Sequence, residues 1–125
     1  MTENEIAKKI WSISFDIHQK LGPGIFESVY EEILAHELLK AGIEFERQKL
    51  IPVTWDTLTI PGAFRIDFLL EKKVILELKS VEQLSAVHKK QLITYLKLTN
   101  LKLGLLINFN TNLLKDGFIR LVNNL

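Results

Sequence analysis

The chain has 125 residues, of which 47% are apolar and 25% charged, and it contains no cysteine. That length suits one domain over residues 1–125, with a real core but no room for two, and the missing cysteines exclude disulfides and a thiolate zinc site. The formal net charge is only +1, so any contact with nucleic acid needs a local basic patch, a metal or an oligomer rather than bulk attraction.

No apolar run approaches the ~20 residues of a membrane span, so no membrane partner is expected. The N-terminus is too polar for a signal peptide, and the cytoplasm is the expected compartment. Thr2 or Asn4 can cap a first helix whose apolar stripe is Ile6, Ile10, Ile13, Ile17 and Leu21. Gly22-Pro23-Gly24 stops it. A second helix is expected from Ile25 to Lys40, with Tyr30, Leu34 and Leu38 on one face, ending at Ala41-Gly42.

Strands follow. Phe45 to Trp55 reads as a long strand in which Pro52 marks an edge or a bulge. Asp56 opens a turn, Thr57 to Ile60 is extended, and Pro61-Gly62 turns again. Phe64 to Leu70 alternates, with Phe64, Ile66, Phe68 and Leu70 on one face and Arg65, Asp67 and Leu69 on the other. Glu71-Lys72-Lys73 then makes a hairpin into Val74–Lys79, a buried strand on which Glu77 and Lys79 share a face opposite Leu76 and Leu78. Such a hairpin brings Asp67 close to Glu77. Ser85 caps a third helix from Ala86 to Leu98, Leu103 to Phe109 is another buried strand, and Phe118 to Val122 is a last strand or helix. The expected fold is mixed α/β, in the order α-α-β-β-β-α-β.

Asp67, Glu77 and Lys79 form the first candidate constellation. Two carboxylates facing each other repel unless a cation lies between them, and hard oxygen ligands suit Mg²⁺ or Mn²⁺. A lysine beside such a metal can orient water and stabilise negative charge, which phosphodiester hydrolysis requires. A purely structural triad, with Lys79 and Arg65 neutralising the acids, accounts for the same spacing equally well. Glu27 lies in the first turn of the second helix, where the helix dipole favours an acid anyway, yet it shares the packing stripe of Tyr30 and Leu34. His88, Gln91 and Tyr95 make a polar stripe on the third helix, flanked by Lys89, Lys90 and Lys97. That stripe can bind phosphates or a neighbouring strand's carboxylates, or it can be an ordinary solvated face. No Ser-His-Asp triad, P-loop or dinucleotide fingerprint is present.

Several of these segments match known motifs in order. Gly24-Ile25-Phe26-Glu27-Ser28-Val29-Tyr30 fits GxxExxY and follows Leu21-Gly22-Pro23 directly. Together with Phe64-Arg65-Ile66-Asp67, Glu77-Leu78-Lys79, Gln91 to Tyr95 and Leu105 to Asn110, it resembles the GxxExxY family, placed in the PD-(D/E)XK nuclease-like superfamily. The resemblance spans nearly the whole chain. It implies a restriction-endonuclease-like core, a central mixed β-sheet flanked by helices. It also implies that Asp67 and Glu77 are the two acids of the superfamily motif and Lys79 its lysine. Leu78 would lend its backbone carbonyl to the metal, and Glu27 would correspond to an additional metal ligand on the first core helix. Gln91 and Tyr95 look like a Q-x-x-x-Y element that helps hold DNA, and Gly24 and Tyr30 are the framing residues of the helix motif. The proline that precedes the first acid in the superfamily name is replaced by Ile66.

The expected activity is Mg²⁺- or Mn²⁺-dependent cleavage of nucleic acid, DNA before RNA, with Arg65, Gln91 and Tyr95 contacting substrate or buttressing the ligands. Its rival is a non-catalytic module on the same fold that binds nucleic acid or protein. A third reading keeps the acids and Lys79 as an internal ion network. Apolar residues at Val53 and Trp55 would suit a homodimer.

Overall fold

A computed structural model describes residues 1–125. Helix α1 (Glu3–Leu21) starts at Thr2, whose side chain accepts a hydrogen bond from the Glu5 backbone, and ends at Gly22 with φ 68°. Helix α2 (Glu27–Lys40) begins two residues later than the apolar pattern predicts, because Ile25 and Phe26 remain extended or irregular as the chain leaves Gly24. Strands β1 (Phe45–Trp55), β2 (Leu58–Leu70) and β3 (Val74–Lys79) form an antiparallel meander. Helix α3 (Ala86–Thr99) then crosses over to β4 (Leu103–Asn108), which lies parallel to β3, and β5 (Phe118–Val122) closes the far edge antiparallel to β4. The sheet order is β1-β2-β3-β4-β5. The last segment is thus a strand, and the full order is α-α-β-β-β-α-β-β.

The sheet separates two apolar cores. On one face α1 and α2 bury Ile6, Ile10, Tyr30, Leu34 and Leu38 against Phe68, Leu76, Leu78, Leu105 and Ile107. On the other, α3 lays Leu92 and Leu96 over Ile66, Ile75 and Leu106. β4 is buried along its whole length, as a parallel strand covered on both faces must be. No helix is long and apolar enough to cross a membrane.

Two expectations for β2 fail. Pro61-Gly62 does not turn the chain; β2 runs through it, and the ladder steps from Ile51↔Phe64 to Val53↔Ile60 across a bulge opposite Pro52. The proline has no amide to offer the ladder, and Gly62 absorbs the distortion at φ 61°. The hairpin therefore extends past the sheet, where Trp55 at its end is 74% exposed. Strict alternation also breaks at Asp67. Phe68 and Leu70 face α1 and α2 as expected, but Ile66 joins the α3 core instead. The break lies where β2 parts from β3 while remaining paired with β1.

Gly104 on β4 allows α3 to come this close, since a Cβ there would fall 2.9 Å from Leu92 Cγ. Gly104→Ala is expected to lower stability by about 1–3 kcal/mol, the usual cost of overpacking a core, measurable by urea unfolding.

Candidate active site at the fork of β2 and β3

Pairing between β2 and β3 ends at Phe68↔Leu76, whereas β3 stays paired with β4 as far as Lys79↔Asn108. Beyond Phe68 the two strands diverge, and the Leu78 N–H faces the gap without a strand partner. The Asp67 carboxylate takes that place, Oδ2 accepting from Leu78 N at 2.8 Å. A strand residue points its N–H and C=O to the same side, so the Leu78 carbonyl faces the same gap.

Glu77 lies half-buried beside Asp67. Burial pushes its carboxyl up to about 9, and the charge of Asp67 and a shared hydrogen bond with it act in the same direction, against a smaller opposing pull from Lys79. At neutral pH the two carboxyls thus hold a proton between them. Neither Lys79 nor Arg65 forms an ion pair with them; the chain's salt bridges involve Lys20, Lys40, Arg47 and Lys49. The arrangement of a structural triad neutralised by Lys79 and Arg65 is absent. Arg65 is exposed on β2, one residue outside the fork.

Glu27 approaches this fork from α2, near enough for the charges of Asp67 and Lys79 to act on it. Its carboxyl is raised by burial first, then by the charge of Asp67, with Lys79 pulling the other way. A set of contacts fixes this approach. Gly24, at φ 93°, donates its N–H to Asn110 Oδ1 at 3.0 Å. The Tyr30 hydroxyl donates to the Gly22 carbonyl, and its ring stacks on Phe109 at 4.4 Å. Ser80, next to Lys79, donates to the Ile25 carbonyl at 2.7 Å. Gly24 and Tyr30 therefore anchor the approach of Glu27 to the fork.

The α3 stripe divides. Tyr95 borders the site: burial raises its hydroxyl, and the charges of Glu77 and then Asp67 add to this, while a hydrogen bond from Gln91 opposes them. Phe64 stacks flat against Tyr95 at 3.9 Å. His88 instead closes a capping box at the helix start, its Nδ1 accepting from Ser85 N at 3.2 Å. Gln91 and Tyr95 share the site's edge; His88 belongs to the helix end.

Two contributors escaped the sequence reading. Asn108 is buried and brackets Val81, donating to its carbonyl at 2.9 Å and accepting from its amide at 3.1 Å, which pins the chain just after Lys79. Gln48 donates to Asp67 Oδ1 at 3.2 Å from the neighbouring strand. A buried asparagine after an apolar strand is a detectable signal; Gln48 in an ordinary strand sequence is not.

A family model described as the PD-(D/E)XK nuclease superfamily matches residues 4–121. The chain belongs to that superfamily. No curated protein and no solved structure matches it.

Nucleases of this superfamily generally use divalent metals, and the donor set here suits one. Asp67 and Glu77 supply hard oxygens, no side-chain cation neutralises them, and they hold a proton where a cation would compensate them better. No three His, Asp or Glu side chains converge into a complete cage.

The proton on Glu77 has a measurable consequence. Without metal, folding keeps a proton that the unfolded chain releases above about 4.5, so the contribution of Glu77 to stability is fully present below that pH and is lost as pH rises toward about 9. In EDTA the unfolding free energy is expected to fall from pH 5 to pH 9 by at most about 1.4 kcal/mol per pH unit, and the melting temperature to fall with it. Glu77→Gln, which imitates the protonated form, should flatten that profile.

Proposed function

We propose that this chain is a divalent-metal-dependent nuclease that hydrolyses phosphodiester bonds, with DNA as substrate before RNA. The observation that carries the reading is the Asp67–Glu77 carboxyl pair at the strand fork, which no cation of the chain neutralises. Asp67, Glu77 and the Leu78 carbonyl would hold Mg²⁺ or Mn²⁺, with Glu27 adding negative charge or a further ligand from α2. Such an ion supplies charge neutralisation at the phosphoryl oxygens and acidifies water.

The remaining work falls to this chain's own side chains. Lys79 projects from the same face as Glu77, close enough for Glu27 and Glu77 to feel its charge. There it orients the attacking water and stabilises negative charge that develops during displacement. Tyr95, backed by Phe64, forms a wall beside the acids and, with Gln91, offers polar groups to a phosphate or sugar. Arg65, exposed on the adjoining strand, supplies a cation to the backbone of a bound strand. Lys89, Lys90 and Lys97 on α3 extend the positive surface, which a chain of net charge +1 needs close to its site.

The test is a cleavage assay on single-stranded, duplex and branched DNA and on RNA, in Mg²⁺, Mn²⁺ and EDTA. Wild-type protein is expected to cleave only with metal. Lys79→Ala should reduce the rate about 10²–10³-fold, and Glu77→Gln should remove it together with the rise in melting temperature that divalent metal produces. Cleavage that survives Glu77→Gln would sink the assignment. Absence of both cleavage and a metal-dependent shift would favour a non-catalytic binding module on the same fold.

A further inference from the structure

Resting on the metal-dependent reading above, we infer that Gln48 is a positioning residue for Asp67, setting the plane of its carboxylate for a divalent cation. Gln48 lies in β1 between the ladder pairs Arg47↔Phe68 and Lys49↔Ile66, which puts it opposite Asp67. Its backbone has φ 48°, in the left-handed region. A glutamine inside a strand rarely adopts that conformation, and such departures persist where surrounding contacts impose them.

The contacts are specific. One amide nitrogen, Gln48 Nε2, donates to Asp67 Oδ1 at 3.2 Å and to Glu31 Oε1 at 2.6 Å. The other Asp67 oxygen accepts from Leu78 N. Donors from both neighbouring strands thus hold Asp67, one on each oxygen, and its carboxylate cannot rotate without losing one of them. Glu31 is fixed in turn, since Arg47 Nη2 lies 2.8 Å from its Oε2 and 2.6 Å from Glu32 Oε1. A continuous relay therefore runs from α2 through Arg47, Glu31 and Gln48 to Asp67.

The chemistry of the amide fits this role. Lysine or arginine in the same place would neutralise Asp67 and compete with a metal for it, and glutamate would repel both carboxylates. A neutral donor orients the ligand and leaves its charge available. Partners of this kind around metal ligands typically change metal affinity by about 10–100-fold when removed.

The experiment measures Mn²⁺ affinity by calorimetry for wild type, Gln48→Gly and Gln48→Met, with unfolding in EDTA alongside. Glycine accepts the left-handed backbone without an amide side chain, and methionine keeps the bulk without a comparable donor. Both variants are expected to bind Mn²⁺ about 10–100-fold more weakly, while Gln48→Gly keeps the wild-type midpoint in EDTA. Affinities within about twofold of wild type in both variants, well below that range, would overturn the positioning role alone. A wild-type protein that binds no Mn²⁺ would overturn the metal reading itself and the role with it, an outcome visible before any substitution is compared.

Discussion

The hydrogen bond from Leu78 N–H to Asp67 Oδ2, at 2.8 Å, is the constraint on which the site depends. Antiparallel strands that separate leave backbone donors without partners, and a buried orphan amide is costly. Here a side chain from the departing strand fills the vacant ladder position. The same contact brings a carboxylate to the fork, next to the first acid that β3 presents beyond its last pair with β2. A solution to a backbone problem thereby places two carboxyls together in a half-buried setting. The repulsion this creates is the feature that a cation or a proton must relieve.

The two cores turn that local contact into a rigid site. Leu76 and Leu78 are sealed under α1 and α2 while Ile75 is sealed under α3, so β3 can neither slide nor rotate. A shift of one residue would exchange Glu77 and Lys79 for leucines on the site face. Parallel pairing with β4 continues past the fork, and Asn108 holds the chain beyond Lys79. The side of β3 that faces β4 is therefore fully bonded, and the side that faces β2 opens just where the acids lie.

Much of this was legible because short-range periodicity carries it. The stripe through Ile6, Ile10 and Ile17, the Glu71-Lys72-Lys73 turn and the alternation of Leu76, Glu77, Leu78 and Lys79 each reflect one element's own geometry, and the structure preserves them. Ile13 in that stripe is only partly buried, and Leu21 at its end is exposed. Placing Asp67 beside Glu77 required only a tight hairpin. The parts that could not be read depend on relations between strands. Nothing local marks the place where β2 leaves β3, so Ile66 was assigned to the face of Phe68 although it packs under α3. Pro61-Gly62 carries a strong turn signal, yet pairing of Trp55 with Leu58 makes it a bulge inside a longer hairpin. His88 has the spacing of a phosphate contact, but its nearest unmet donor is the Ser85 amide at its own helix start.

The GxxExxY segment shows how a motif can be mostly scaffold. Of its three defining residues, only Glu27 brings a charge to the site, and it arrives from a helix whose start has no side-chain cap. Gly24 holds a backbone angle that side chains resist, Tyr30 stacks on Phe109 beyond the end of β4, and Ser80 ties the approach to the end of β3. An acid favoured at a helix N-terminus for dipole reasons would be indifferent to such anchoring. Glu27 is instead carried to a spot where burial and the charge of Asp67 both oppose its ionisation. The contacts that hold Glu27 at that approach therefore work against its ionisation, and helix capping does not account for them.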